Sequence, residues 1–195
     1  MPKWNLGGGG DMPSKQDGRL KILVVGPVKS GKTAISNTLM QHYTNDERAS
    51  ERFRGEYRPT SGVRILEFEC GDEGGPGGWD KGEKTNVELW DCSGDTRYEE
   101  CWPAIMKDAS GVIIVYNPED VSQSGEVENW YDWFIKSARL PKDKCVVLQV
   151  PAGGHNNDTD PPRSMRGIKF VEVNVDIVEQ LSDTFDSFVS AVLSD

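Results

Sequence analysis

The chain has 195 residues and a formal net charge of −10 at pH 7, with 22 Lys and Arg against 32 Asp and Glu. That length supports one domain with a sizeable core rather than two. The acidic excess argues against a nucleic-acid backbone or an anionic membrane surface as partner, because no surplus of cations exists to neutralise phosphates.

No apolar run approaches the roughly 18 residues of a spanning helix, and the start, MPKWNLGGGGDMPSKQDG, lacks the apolar centre of a signal peptide. A cytoplasmic location is therefore expected. Cys70, Cys92, Cys101 and Cys145 show no C-x-x-C pairing, so they read as reduced, mostly buried thiols rather than zinc ligands or a disulfide framework.

Residues 1–18, with glycine at every position from Gly7 to Gly10, offer too little apolar surface to offset the entropy of ordering. They read as a disordered tail ahead of a domain over 19–195. A first strand is expected at Leu20–Val25, and it runs directly into GPVKSGKT, Gly26–Thr33, which fits G-x-x-x-x-G-K-[ST] and opens a helix marked by Ile35, Leu39 and Tyr43. Such a loop binds phosphate. Gly26 and Gly31 allow a turn whose backbone N–H groups, from Val28, Lys29 and Ser30 through to Ala34, face phosphate oxygens, and the helix start adds its positive dipole end. Lys32 is expected to reach the β- and γ-phosphates of a nucleoside triphosphate, and the Thr33 hydroxyl to ligate Mg²⁺. An ordinary glycine turn is the plainer reading, and the strand before it and the helix after it make that reading a poor one.

Strands follow at Val63–Phe68 and Val87–Trp90. Between them GDEGGPGGWDKGEKT, residues 71–85, has no helical period, so the pair should form an antiparallel hairpin with a long, solvated acidic loop. An apolar strand ending in Asp91 puts a carboxylate at the carboxyl edge of the sheet beside the phosphate loop, where it suits a further Mg²⁺ ligand; a capping role is the alternative. Three residues on, the Gly94 N–H is spaced to sense a γ-phosphate.

Trp102, Ile105, Met106 and Ala109 then repeat at helical spacing, a strand is expected at Val112–Tyr116, and Val127, Trp130, Tyr131, Phe134, Ile135 and Ala138 mark the next helix. Trp133 falls off that stripe, so core packing and a partner contact are both open for it. After a strand at Cys145–Val150, residues 151–167 are dominated by Gly, Asn, Asp and Pro where a parallel crossover normally holds a helix, which should be short or missing. A strand at Lys169–Val173 precedes a last helix striped by Ile177, Val178, Leu181, Phe185, Phe188, Val189 and Val192, with Asp176 and Glu179 spaced as a capping box. His42 and His155 lack metal-ligand spacing and read as surface residues. The alternation implies an α/β fold: a six-stranded, mostly parallel sheet with helices on both faces.

The phosphate loop, Thr60 in PTSGV before the second strand and WDCSG after the third resemble the small GTPases of the Ras superfamily, especially the Rab-like ones, over nearly the whole length from Leu20 to the last helix. The resemblance implies GTP or GDP with Mg²⁺ as the ligand and Thr60 as the switch I threonine that closes over metal and γ-phosphate. Thr33, Thr60 and Asp91 are then the expected metal ligands, and Asp91 to about Met106 forms switch II. YRPTSGVRILEFE, ELWDCSGD and EECWPAIMKDASGVIIVYN further resemble the Rab-like five family, small GTPase subunits of the intraflagellar transport B complex. That likeness implies a part in cilium or flagellum assembly, other subunits of the B complex as partners, the contact being a coiled-coil heterodimer, and residence in the cilium or flagellum as well as the cytoplasm.

Departures from the pattern act against turnover and base recognition. Asp95 stands where relatives place a water-orienting Gln, and Val28 stands where many have Gly, so unaided hydrolysis is expected at or below roughly 10⁻⁴ s⁻¹. The place of the guanine-reading N-K-x-D holds QVPA, Gln149–Ala152; an N-x-x-D occurs later, at Asn157–Asp160. The second base loop aligns with Asn174, Val175 and Asp176, which leaves only the Val175 backbone N–H for the base oxygen. Affinity in the micromolar range is the consequence. No cysteine follows Cys145, so C-terminal prenylation is not expected. Rival readings are an active GTPase with stimulated turnover, a P-loop phosphotransferase, and a nucleotide-free scaffold.

Overall fold

The computed structural model describes residues 18–45, 58–71, 84–153 and 161–194. Residues 1–17 of the expected tail over 1–18, residues 72–83 of the acidic loop at 71–85, His155 and the Asn157–Asp160 run lie outside the described residues. Six strands form one sheet: β1 (Arg19–Val25), β2 (Val63–Cys70), β3 (Thr85–Cys92), β4 (Gly111–Tyr116), β5 (Cys145–Gln149) and β6 (Lys169–Glu172), in the order β2-β3-β1-β4-β5-β6. Only β2 runs against its neighbour β3; all other pairs are parallel. Successive strands therefore leave β1 in opposite directions, which opens a cleft at its carboxyl end.

Helices α1 (Lys32–Thr44), α2 (Trp102–Met106), α3 (Val121–Tyr131) and α4 (Val178–Leu193) cover the two faces. Strand alternation divides the core accordingly. Ile22 and Val24 of β1 face a cluster with Ile35 and Leu39 of α1 and Leu181, Phe185 and Val189 of α4. Leu23 and Val25 face the other way, toward Trp102, Ile105, Val127, Trp130 and Phe134. β4 is buried at every position because both faces are covered. Burying each large side chain contributes about 1.5–3 kcal/mol, so the apolar stripe of α4, rather than its capping, holds that helix in place.

The capping box expected at Asp176 and Glu179 is not formed. The N-cap is Ile177, without a side-chain cap; instead the Asn174 Oδ1 accepts from the Asp176 N–H, and Gln180 reaches back to accept from the Asn174 N–H and donate to the Glu172 carbonyl. The connection thus closes on Asn174 and Gln180, which flank the expected pair. Between β5 and β6 the described residues hold a single 3₁₀ turn, Arg163–Met165.

Trp133 shows why a strict helical stripe can mislead. α3 passes into a π turn at Asp132–Lys136, where Ser137 N–H bonds to Asp132 O and Leu140 N–H to Ile135 O, five residues back. One extra residue per turn rotates Trp133 toward the core. Its ring lies 4.7 Å from that of Trp102 and 5.2 Å from that of Trp130, centroid to centroid. Trp133→Ala is expected to destabilise the chain by about 2 kcal/mol, read as a lower urea midpoint; unchanged stability would favour the partner-contact reading of this residue.

Candidate functional site

The turn after β1 lies where the sheet opens. Gly26 has φ 140°, and a Cβ there would lie 2.0 Å from the Val115 carbonyl oxygen of β4, so only glycine lets the loop leave β1 this close to its neighbour. Lys29 (φ 62°) and Gly31 (φ 97°) then curl the backbone into the start of α1. That start carries neither a side-chain cap nor an acidic residue in its first turn. The contrast with α3 is informative: Asp120 caps α3 by accepting from the Ser122 and Gln123 N–H groups. An uncapped N-terminus with its dipole unopposed suits an external anion. Lys32 is buried, and its Nζ donates to the carbonyls of Gly26 at 2.8 Å and Pro27 at 2.5 Å and to Ser30 Oγ at 3.3 Å. Burial pushes this ammonium down to about 8, against the opposing pull of Asp91.

Beside the loop, Thr33 of α1, Thr60 ahead of β2 and Asp91 of β3 converge. Thr33 Oγ1 donates to Asp91 Oδ2 at 2.9 Å, the two threonine hydroxyls are 3.0 Å apart, and Thr60 Oγ1 lies 3.4 Å from the same carboxylate oxygen. Asp91 is fully buried, and its second oxygen, Oδ1, has no hydrogen-bond partner among the described residues. Burial raises the carboxyl above its usual range, opposed by Arg64, Thr33, Lys32 and Thr60. Two hydroxyls around a carboxylate with one oxygen left over are hard oxygen donors of the type Mg²⁺ takes, so the residues fit that ion. Sequence reasoning missed two members of this cluster. Arg64 Nη2 donates to Asp91 Oδ2 at 3.1 Å and to Asn37 Oδ1 at 2.6 Å. No sequence signal fixed that pairing: Arg64 lies directly opposite Asp91 only in the observed register of β2 and β3.

Gly94 presses on the loop itself: a Cβ there would lie 2.6 Å from Gly26 O, Pro27 C and Val28 N. Next to it, Asp95 turns away from the loop. Its carboxylate accepts from the Arg97 N–H at 2.9 Å and from Arg97 Nε at 2.8 Å, capping the 3₁₀ turn Thr96–Cys101. These hydrogen bonds hold its carboxyl below the usual range. Val28 is 47% exposed at the mouth of the loop.

At the base-facing end, polar side chains are engaged elsewhere. Gln149 Nε2 donates to the Tyr116 hydroxyl at 2.7 Å, and Val150 packs against Gly31, where a Cβ would lie 3.4 Å from its Cγ1. The Gly153 N–H donates to the Glu119 carboxylate. Val175 lies in the β6–α4 connection with its side chain against the core. Of the cysteines, Cys70, Cys92 and Cys145 are buried thiols and Cys101 is exposed. His42 is exposed. No helix among the described residues is long and apolar enough to cross a membrane.

A family model described as Ras of Complex, Roc, domain of DAPkinase matches residues 21–150. The match begins in β1 and ends just after β5, where the base-recognition pattern departs. A Xenopus tropicalis protein, intraflagellar transport protein 22 homolog, is 44% identical over 142 residues, which cover 73% of this chain and 70% of that one. The fold matches a T. brucei IFT22/74/81 GTP-bound crystal structure with TM-score 0.66 at 28% identity, covering 90% of this chain and 95% of that chain. It also matches a T. brucei IFT22 GDP-bound crystal structure with TM-score 0.63 at 26% identity, over 90% and 96% of the two chains.

Because Gly94 touches backbone rather than flexible side chains, Gly94→Ala is expected to cost about 2–4 kcal/mol in the nucleotide-free chain. Gly62, also with positive φ (67°) but with only the Tyr98 ring near, at 4.0 Å, makes the control. Gly62→Ala should cost about 1 kcal/mol, and thermal unfolding of the two variants checks the order.

Proposed function

This chain belongs to the intraflagellar transport protein 22 family of Ras-like small GTPases, and from that premise we propose that it is a GTP- and GDP-binding subunit of the intraflagellar transport machinery, one that holds nucleotide more than it consumes it. The observation that carries the reading is the meeting of Thr33, Thr60 and Asp91 from three separate segments beside the uncapped start of α1. The loop N–H groups of Gly26 and of Val28 to Ala34 take the phosphates, and Lys32 exchanges the Gly26 and Pro27 carbonyls for phosphate oxygens. Thr33, Thr60 and Asp91 hold Mg²⁺, which when bound neutralises charge on the phosphates. Gly94 presents its N–H to the γ-phosphate.

Slow hydrolysis follows from Asp95. A side chain that caps its own 3₁₀ turn and pairs with Arg97 has no freedom to orient a water, and its negative charge opposes the nucleotide's. Val28 fills space at the mouth of the loop that a stimulating arginine would need. Micromolar affinity follows from the base end, where Gln149 and Val150 are committed to Tyr116 and Gly31, and the Val175 N–H remains as the base contact. The guanine nucleotides in the similar T. brucei structures support GTP and GDP over ATP. Their IFT22/74/81 assembly supports other transport-complex subunits as partners, the proposed form of contact being a coiled-coil heterodimer that docks on Thr60 and the Asp91–Met106 segment once γ-phosphate orders them. Function in cilium or flagellum assembly, from the cytoplasm, completes the reading.

Titration of nucleotide-stripped protein with labelled GTP, GDP and ATP, with and without Mg²⁺, is the direct test. Micromolar GTP and GDP binding with ATP clearly weaker is expected; equal affinity for ATP would end the guanine assignment. Single-turnover hydrolysis should not exceed roughly 10⁻⁴ s⁻¹. Thr60→Ala should weaken nucleotide and partner binding together.

Lys32 gives the site a pH dependence. Only its protonated form attracts phosphate, and burial sets its loss of charge in the free protein at about 8. Affinity should therefore hold flat below that pH and fall above it by up to about tenfold per pH unit. Lys32→Arg, which keeps its charge, should flatten the profile between pH 7 and 9, as measured by fluorescence titration.

A further inference from the structure

We propose that Arg64 is a built-in counter-ion of the cation site, a positioning residue that pairs with Asp91 when Mg²⁺ is absent and so makes nucleotide retention less dependent on the metal than a neutral side chain would. The inference rests on the Mg²⁺–nucleotide reading given above and concerns a residue that the reading does not use.

Three features of its placement carry the argument. Arg64 and Asp91 are direct cross-strand partners in the β2–β3 hairpin, so the pairing is set by strand register rather than by a flexible reach. One nitrogen, Nη2, bonds both Asp91 Oδ2 at 3.1 Å and Asn37 Oδ1 at 2.6 Å, which ties β2, β3 and α1 together beneath the Thr33 and Thr60 hydroxyls. The Asp91 side chain is fully buried and that of Arg64 is 26% exposed, so solvent screens this pair far less than the Arg19–Glu88 pair on the same sheet, where the arginine is 53% exposed.

The carboxylate is divided between two tasks. Oδ2 accepts from Thr33, Thr60 and Arg64, while Oδ1 has no partner among the described residues and remains for a cation. Without Arg64, an unpaired buried carboxylate would repel the phosphates of a metal-free nucleotide. With it, that repulsion is largely cancelled, and Mg²⁺ approaches a carboxylate already paired with a positive group. Arg64 therefore narrows the difference between metal-loaded and metal-free nucleotide affinity from both ends. A purely structural cross-strand pair would steady the hairpin and leave that difference alone.

The intact chain, stripped of nucleotide, provides the test. Labelled GTP is titrated in excess Mg²⁺ and in EDTA for wild type, Arg64→Met, Arg64→Gln and Arg64→Lys, with circular dichroism and thermal unfolding to establish folding. The ratio of the two dissociation constants should rise by roughly tenfold in the neutral variants and stay near wild type in Arg64→Lys, since a nearby charge of this kind shifts electrostatic equilibria by about one decade or more. Release of preloaded GTP after EDTA addition should quicken in the same order. Should Arg64→Met fail to fold, Gln against Lys carries the comparison, because both keep a donor and differ in charge. Ratios within twofold of wild type in the folded neutral variants would overturn the counter-ion role while leaving the phosphate site standing; failure of the wild type to bind GTP in either condition would overturn the nucleotide reading itself.

Discussion

A buried carboxylate at the end of an apolar strand is expensive unless something compensates it, and the arrangement around Asp91 is organised by that constraint. Its compensation comes from three directions: Thr33 at the start of α1, Thr60 on the approach to β2, and Arg64 directly across the β2–β3 hairpin. Segments separated by more than fifty residues of chain are thereby held at one oxygen atom. The sheet supplies the rigid part of this geometry, since Asp91 pairs with Val24 of β1 and with Arg64 of β2 at the same level. The uncertain charge balance is what a divalent cation or an arginine can each resolve, and the protein provides one of them itself.

The phosphate loop depends on the same packing. Its departure from β1 is dictated by the contact of Gly26 with Val115, and Gly94 closes on it from the far side of Asp91 with no room for a side chain. At Gly94 the Asp91–Met106 segment therefore meets the loop backbone to backbone, without any intervening side chain. Asp95 follows at once, with its carboxylate committed to Arg97.

Legibility in the sequence tracked how local each signal was. Strand positions followed from runs such as VVG and VIIVY, whose burial on both faces leaves little choice of residue, and the P-loop was readable because its chemistry is carried by eight consecutive residues, Gly26–Thr33. Trp133 was open between core packing and a partner contact, and the Asp176–Glu179 pair was misread as a capping box. A π turn brought the first into the core against its helical phase, and Asn174 with Gln180 displaced the second, because a local pattern fixes neither the pitch of a turn nor which of several competing polar groups closes a connection.

By itself the sequence determined the α/β alternation, the phosphate loop, the carboxylate at the end of β3 and the family, because each is written in contiguous residues or in spacings that steric and hydrogen-bonding rules restrict. Only the tertiary structure decided that Arg64 and Asn37 belong to the cluster around Asp91, that Gly94 abuts the loop, and that the Asp95 carboxylate bonds Arg97. These are matters of strand register and through-space approach, in which a shift of one residue or an ångström turns a contact into open space, and no one-dimensional pattern encodes such a distance.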